Sequence, residues 1–337
     1  MPSQMTSAQE APAVASTAQV HEFTTDLLVR QRHAAADGVV ALDLKDPQGC
    51  DLPAWEPGAH IDLLLDEGLV RQYSLCGDPR DAKTWRVGVL LDPQSRGGSR
   101  HVHENLEEGS SVRVRGPRNH FALVDSPRYL FIAGGIGITP IIPMIDFAQD
   151  TGSDWTLIYL GRRRTTMAFA EALAGSYGDQ VTLWPHDERG RFDLEAALKE
   201  PADQTLVYCC GPEQLLSAAE QHCAHWPEGS LHIERFAAKA LAEPTAEAFD
   251  TFQVVCQRSG VTVEVSGDTS ILEALEEADI PILSSCLEGI CGTCEAKVLE
   301  GRPDHRDSML TDAERASGNK ILTCVSRSRS EKMVLDL

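Results

Sequence analysis

Cys286, Cys291 and Cys294 stand on one short stretch, and Cys324 follows thirty residues after Cys294. The spacing is C-x4-C-x2-C with a distant fourth cysteine, the thiolate pattern that holds a plant-type [2Fe–2S] cluster. A loop wrapped closely around inorganic sulfide favours small residues, and Ser284, Ser285, Gly289, Gly292 and Thr293 supply them. A zinc ribbon would instead show two C-x2-C pairs. The remaining cysteines (Cys50, Cys76, Cys209, Cys210, Cys223, Cys256) have no framework spacing, so disulfides are not expected. Those thiols should be reduced and mainly buried, since free Cys packs as a small hydrophobe.

Three further groups of residues point to bound anions and rings. Arg71, Gln72, Tyr73 and Ser74 lie on a strand-like segment. It offers a cation to a phosphate and a phenol and hydroxyl to a ring. Alternation puts Arg71 and Tyr73 on one face and Ser74 on the other. Gly97, Gly98 and Ser99 form a glycine-rich turn whose backbone N–H groups suit a phosphate, above all where a helix begins. Arg115 and Arg118 flank a basic turn where a phosphate or flavin edge would lie. Gly134, Gly135, Gly137 and Thr139 follow an apolar run and precede Pro140, which suits a first helical turn. Glycines there let a pyrophosphate approach the backbone, although the order departs from G-x-G-x-x-G, and a tight turn without ligand has the same composition. Cys210, Gly211 and Pro212 end another apolar run. If that run is a parallel strand, its carboxyl end lines a ligand crevice, and Cys210 faces it unless it is a buried structural thiol.

The elements that must position these residues fall into three parts. Over 19–125, short apolar runs such as Val39–Leu42, Ile61–Leu65, Val87–Leu91 and Val112–Val114 are separated by Gly, Pro and Asp, which predicts a closed antiparallel barrel. Over 126–238, strand-like runs (Tyr129–Ala133, Thr156–Leu160, Val181–Trp184, Thr205–Cys209) alternate with helical stretches over Ile141–Ala148 and Met167–Leu173, which predicts a parallel α/β sheet. Residues 239–250 read as a polar linker. Over 251–337, period-two alternation leads into a helix at Ser270–Glu277, with Ser270 as N-cap and Glu273 three residues on, and then into the cysteine loop.

Composition bounds the function. The 337 residues, 42% hydrophobic and 24% charged, have ample material for more than one core. A net charge of −21 argues against nucleic acid and against an anionic membrane surface, and permits docking to a more basic partner. Residues 1–18 lack the basic start and apolar core of a signal peptide, and read as a disordered tail. No window approaches a transmembrane length, so a soluble, cytoplasmic protein is expected. No long apolar stripe is left without an intramolecular partner, which makes a monomer the expectation.

Taken together, Arg71-x-Tyr73-Ser74, Gly97-Gly98-Ser99, the Gly134–Pro140 stretch, Cys210-Gly211-Pro212 and the four C-terminal cysteines resemble the phthalate dioxygenase reductase family, within the ferredoxin–NADP reductase superfamily. The resemblance runs from about residue 20 to the end. It implies a flavin-binding β-barrel, a Rossmann-like nucleotide domain and a C-terminal β-grasp ferredoxin domain. It implies that Arg71, Gln72 and the Gly97-Gly98-Ser99 turn hold FMN, that Tyr73 lies along its ring, and that Ser74 stands near the reacting N5. The Gly134–Thr139 loop, Gly211 and Pro212 would bind the pyridine nucleotide, with Cys210 near the nicotinamide and Phe236 packed on the flavin. Cys286, Cys291, Cys294 and Cys324 would hold the cluster. Electrons would pass from NADH through FMN and the cluster to a Rieske-type oxygenase. Two points stay open: Arg162 stands where a 2′-phosphate would be read and so admits NADPH, and FAD is the alternative to FMN. Competing readings are an FAD-containing reductase of a multicomponent monooxygenase and a redox-sensing or electron-buffer protein.

Overall fold

The computed structural model describes residues 23–65, 68–93, 97–239 and 249–337. The tail expected over 1–18 and most of the linker expected over 239–250 lie outside them.

The first sheet contains β1 (Thr24–Ala36), β2 (Val39–Lys45), β3 (Ala59–Leu64), β4 (Val70–Ser74) and β5 (Trp85–Leu90), then a helix α1 (Gly98–Asn105) and β6 (Ser111–Asn119). Its six strands run antiparallel in the order β4-β3-β6-β1-β2-β5. A bridge between Leu75 and Val87 joins the two ends of that order and closes the sheet into a barrel. Leu27, Leu42, Ile61, Leu63, Trp85 and Val114 fill its interior with no exposed surface.

The second sheet is wholly parallel. It takes β7 (Arg128–Gly134), α2 (Ile138–Thr151), β8 (Asp154–Gly161), α3 (Ala170–Tyr177), β9 (Val181–Pro185), the short α4 (His186–Arg189) and α5 (Leu194–Leu198), β10 (Thr205–Cys210), α6 (Glu213–Cys223) and β11 (Leu231–Glu234). The order β11-β10-β7-β8-β9 reverses direction between β7 and β10. Ligands of open α/β sheets bind at such a switch, outside the strand carboxyl ends. The near-continuous burial of Leu130–Gly134 marks β7 as a central strand covered on both faces. Two helix boundaries differ from expectation. α2 begins at Ile138, three residues earlier, so Pro140 sits in its first turn. α3 starts at Ala170 rather than Met167, because Met167 is extended and Phe169 takes a left-handed backbone, φ 61°.

The third part contains β12 (Phe252–Cys256), β13 (Thr262–Val265), α7 (Ile271–Glu277), β14 (Glu295–Glu300), β15 (Pro303–Asp304), α8 (Asp312–Ser317), β16 (Lys320–Leu322), β17 (Arg327–Ser328) and β18 (Lys332–Leu335), with β15 and β17 paired as a small sheet of their own beside a five-stranded one. The order β13-β12-β18-β14-β16 is mixed, with β12 and β18 parallel, and α7 covers one face through Ile271 and Leu275 in a β-grasp arrangement. Both halves of the Ser270/Glu273 capping box form, as the sequence predicts.

Candidate functional site

One cavity of about 360 Å³ is walled by all three parts of the molecule. The barrel supplies His60, Arg71, Gln72, Tyr73, Ser74 and Ser99. The parallel sheet supplies Ile136, Thr139, Glu234 and, just beyond β11, Phe236. The cysteine loop supplies Cys286, Glu288 and Ile290. Strand alternation had separated Ser74 from Arg71 and Tyr73, yet all three reach the cavity. Ser74 is the last residue of β4, next to the Leu75–Val87 bridge that closes the barrel, and it reaches the cavity there. Burial and the Arg71 charge act oppositely on the Tyr73 phenol, and burial prevails, pushing it up to about 12. Tyr73 is therefore an un-ionised surface for a ring.

Gly97 takes φ 95° and precedes α1, whose start has no side-chain cap. A side chain at Gly98 would lie 2.3 Å from Arg71 Cγ, so the guanidinium arm packs directly over this uncapped helix start. A cation and a helix N-terminus converge there, a combination that suits a phosphate. At the switch point the two glycine loops interlock. A Cβ on Gly137 would lie 2.3 Å from the Cys210 carbonyl oxygen, and one on Gly134 would lie 2.7 Å from Pro212. Gly135 has φ 55°. The Thr139 hydroxyl donates to the Ile136 carbonyl at 3.0 Å, which closes the turn. Gly211 packs against Gly134 in the same contact. Arg162 lies apart from the cavity, exposed just after the carboxyl end of β8.

Cys210 is wholly buried and does not line the cavity; its thiol lies 4.0 Å from Glu234 Oε2. Burial, with the Glu234 and Cys209 charges adding, keeps that thiol protonated. Glu234 is the residue that faces the cavity. Burial pushes its carboxyl up to about 8, against a hydrogen bond donated by Ser74. Ser74, Glu234 and Cys210 thus form a contiguous polar seam from barrel to parallel sheet. Sequence reasoning missed Glu234 and His60. The signal for Glu234 was a carboxylate at the carboxyl end of the strand Leu231–Glu234, in the segment read only for Phe236. His60 is 2% exposed, neither ring nitrogen has a hydrogen-bond partner among the described residues, and burial lowers it to about 3.

The four cysteines come together in pairs. Cys286 neighbours Cys291 and Cys294 neighbours Cys324, so that within each pair one thiol favours the ionisation of the other at the expense of its own. Among the described residues no three His, Cys, Asp or Glu side chains converge where one metal ion would sit. Two cysteine pairs are the donor set that a two-iron cluster requires. Backbone N–H groups of Glu288 and Ile290 bond to Cys286, that of Gly289 to Cys324 and that of Thr293 to Cys291, and all favour thiolate. The turn needs its glycines: Gly289 has φ 69°, and a Cβ there would lie 2.5 Å from Val325.

A family model described as a 2Fe-2S iron-sulfur cluster binding domain matches residues 254–329. Phenoxybenzoate dioxygenase subunit beta of Ectopseudomonas oleovorans is 42% identical over 304 residues, which cover 90% of this chain and 94% of that one. Phthalate dioxygenase reductase of Burkholderia cepacia is 34% identical over 92% of this chain and 97% of its own. The solved structure of a phthalate dioxygenase reductase has a TM-score of 0.68 at 34% identity, over 93% of this chain and 98% of that one. An intact type IV self-sufficient cytochrome P450 monooxygenase gives a TM-score of 0.86 at 47% identity over 93% of this chain; the match spans only 41% of that longer protein. No helix among the described residues is long and apolar enough to cross a membrane. The paired thiols, the phosphate-ready turn of the barrel and these likenesses over nine-tenths of the sequence lead to one assignment: the chain belongs to the phthalate dioxygenase reductase family of flavin- and [2Fe–2S]-containing electron-transfer oxidoreductases.

Proposed function

We propose that this chain is the reductase component of a Rieske-type oxygenase system, taking electrons from NADH and passing them through FMN and the cluster to the oxygenase. The observation that carries this reading is the single cavity touched by barrel, parallel sheet and Cys286 together. We assign 19–125 as the FMN barrel, 126–238 as the NAD domain and 251–337 as the ferredoxin domain. When bound, the flavin supplies conversion between two-electron and one-electron transfer, and the cluster carries single electrons.

The residues would act as follows. Arg71 and the Gly97-Gly98-Ser99 turn hold the FMN phosphate, with Gln72 alongside on the same strand. Tyr73 and Phe236 flank the ring. Gly134, Gly135, Gly137, Thr139, Gly211 and Pro212 shape the nucleotide turn, and Arg162 contacts the adenosine end. The Ser74 hydroxyl donates to Glu234, which is largely protonated at neutral pH and so offers a proton, rather than a charge, to the reacting edge. Cys210 stands behind that carboxyl and positions it. Cys286, Cys291, Cys294 and Cys324 ligate the cluster. The acidic surface suits a more basic acceptor, and the protein acts in the cytoplasm as a monomer.

A second acceptor is favoured by one observation, the 47% identity to part of a self-sufficient cytochrome P450: a haem domain in place of a Rieske oxygenase. Reconstitution decides between them. With NADH, the purified protein should support turnover by a Rieske oxygenase more readily than reduction of a P450 haem domain, read as the carbon monoxide difference spectrum. The opposite preference overturns the Rieske assignment.

A further inference from the structure

Asp62 lies on β3, directly opposite Gln72 of β4 and so beside the wall made by Arg71 and Tyr73. Its side chain has no exposed surface. Arg115 approaches one carboxylate oxygen through Nε at 3.0 Å and Nη2 at 2.7 Å. Arg118 Nη2 lies 2.6 Å from the other. Those partners belong to β6 of the same barrel. Gln72 Nε2 of β4 adds a longer contact of 3.5 Å to Oδ1. The remaining contact comes from outside the barrel: the Ser285 hydroxyl donates to Asp62 Oδ1 at 2.7 Å, across 223 residues of sequence. Arg115 Nη2 also donates to the Ser284 carbonyl at 2.6 Å. The two residues immediately before the first cluster cysteine are therefore seated on a buried ionic centre of the barrel.

A buried ion pair is weak evidence for stability, and its best-attested use is to fix register. Register is what this centre controls. One peptide unit, ~3.8 Å between Cα atoms, separates Ser285 from Cys286, which itself lines the cavity. The seat leaves the loop no slack to slide along the barrel. A second contact runs beside it, where His60 stacks on His120 with centroids 5.7 Å apart. A Cβ on Gly292 of the cluster loop would lie 3.1 Å from His120 Cε1.

We propose that Asp62 and Ser285 are positioning residues that fix the cluster loop against the flavin wall and so set the rate of electron passage between the two cofactors. The proposal rests on the flavin and cluster reading above. Its test uses the full-length protein carrying both cofactors, mixed rapidly with NADH without oxygen. Flavin bleaching and the rise of the reduced-cluster electron paramagnetic resonance signal are followed separately.

In Ser285→Ala the bleaching rate and the oxidised cluster spectrum should match wild type. Cluster reduction should slow by on the order of tenfold or more, and amide hydrogens of residues 284–291 should exchange faster. Ser285→Thr, which keeps the hydroxyl, should restore both. Asp62→Asn should slow the same step, and a failure of that variant to fold leaves the serine pair to decide. Unchanged cluster reduction and unchanged exchange in Ser285→Ala overturn the positioning role. A wild-type protein whose cluster never reduces with NADH overturns the underlying reading instead.

Discussion

The cluster loop and the cavity beside it share Cys286, yet they are assembled on different principles. The loop is local. Three of its four cysteines lie within nine residues, and the backbone amides that favour their thiolates come from the same turn. The cavity is distributed: its wall draws on residues from His60 to Ile290, and each part of the molecule contributes a few side chains. A local site survives changes elsewhere and fails completely when one ligand is lost. A distributed site fails by degrees, because each wall contributes a fraction of the contact.

Cys291→Ser puts that contrast to its hardest test. It should abolish the cluster absorbance and signal while NADH still reduces an artificial two-electron acceptor through the flavin. Loss of both activities would mean that the two sites are one cooperative unit. Gly137→Ala is the next largest perturbation. The new methyl would lie 2.3 Å from the Cys210 carbonyl, backbone against backbone, and overpacking of this kind costs about 1–3 kcal/mol or more. Nucleotide affinity and thermal midpoint should both fall, with the cluster spectrum unchanged. Arg71→Ala should weaken flavin retention by about 1.5–3 kcal/mol, roughly ten- to hundredfold in Kd, with a smaller effect on nucleotide binding. Equal losses for both ligands would remove its assignment to the flavin phosphate.

Glu234→Gln is the subtlest. The folded-state carboxyl is raised from 4.5 to about 8, so the folded protein holds a proton that the unfolded chain releases above about pH 4.5. Stability should therefore decline as pH rises from about 4.5 through 8 and level off above it, by on the order of 1 kcal/mol given the solvent that reaches the group through the cavity. The Gln variant should lose this dependence when unfolding of flavin-free protein is followed against pH. A wild-type curve that is flat across the window would refute the buried, protonated carboxyl.

How much was legible follows the same division. C-x4-C-x2-C is readable because the ligand geometry of one loop is encoded in consecutive residues. The barrel and parallel-sheet runs were readable for a related reason, since β7, β8 and β10 are short apolar segments bounded by turn residues. Glu234 and His60 were not. A carboxylate or imidazole in a strand reads as surface until a second part of the molecule covers it, and only the folded chain brings Ser74 and Cys210 to Glu234. Asp62 is the sharpest case, for its partner Ser285 lies in another sheet's loop. The start of α3 was missed because Phe169 adopts a left-handed backbone that propensity gives no reason to expect.

The cavity bordered by three sheets has a thermodynamic consequence. A molecule seated in it touches all three parts at once, and binding to the assembled form adds RT ln(1 + [L]/Kd) to its stability, about 2.7 kcal/mol at a hundredfold excess over Kd. The occupant acts as a keystone. With it, the three parts should melt together in one calorimetric transition. Without it, the barrel, the parallel sheet and the cluster-bearing sheet lose a shared constraint, and the melt should broaden or split.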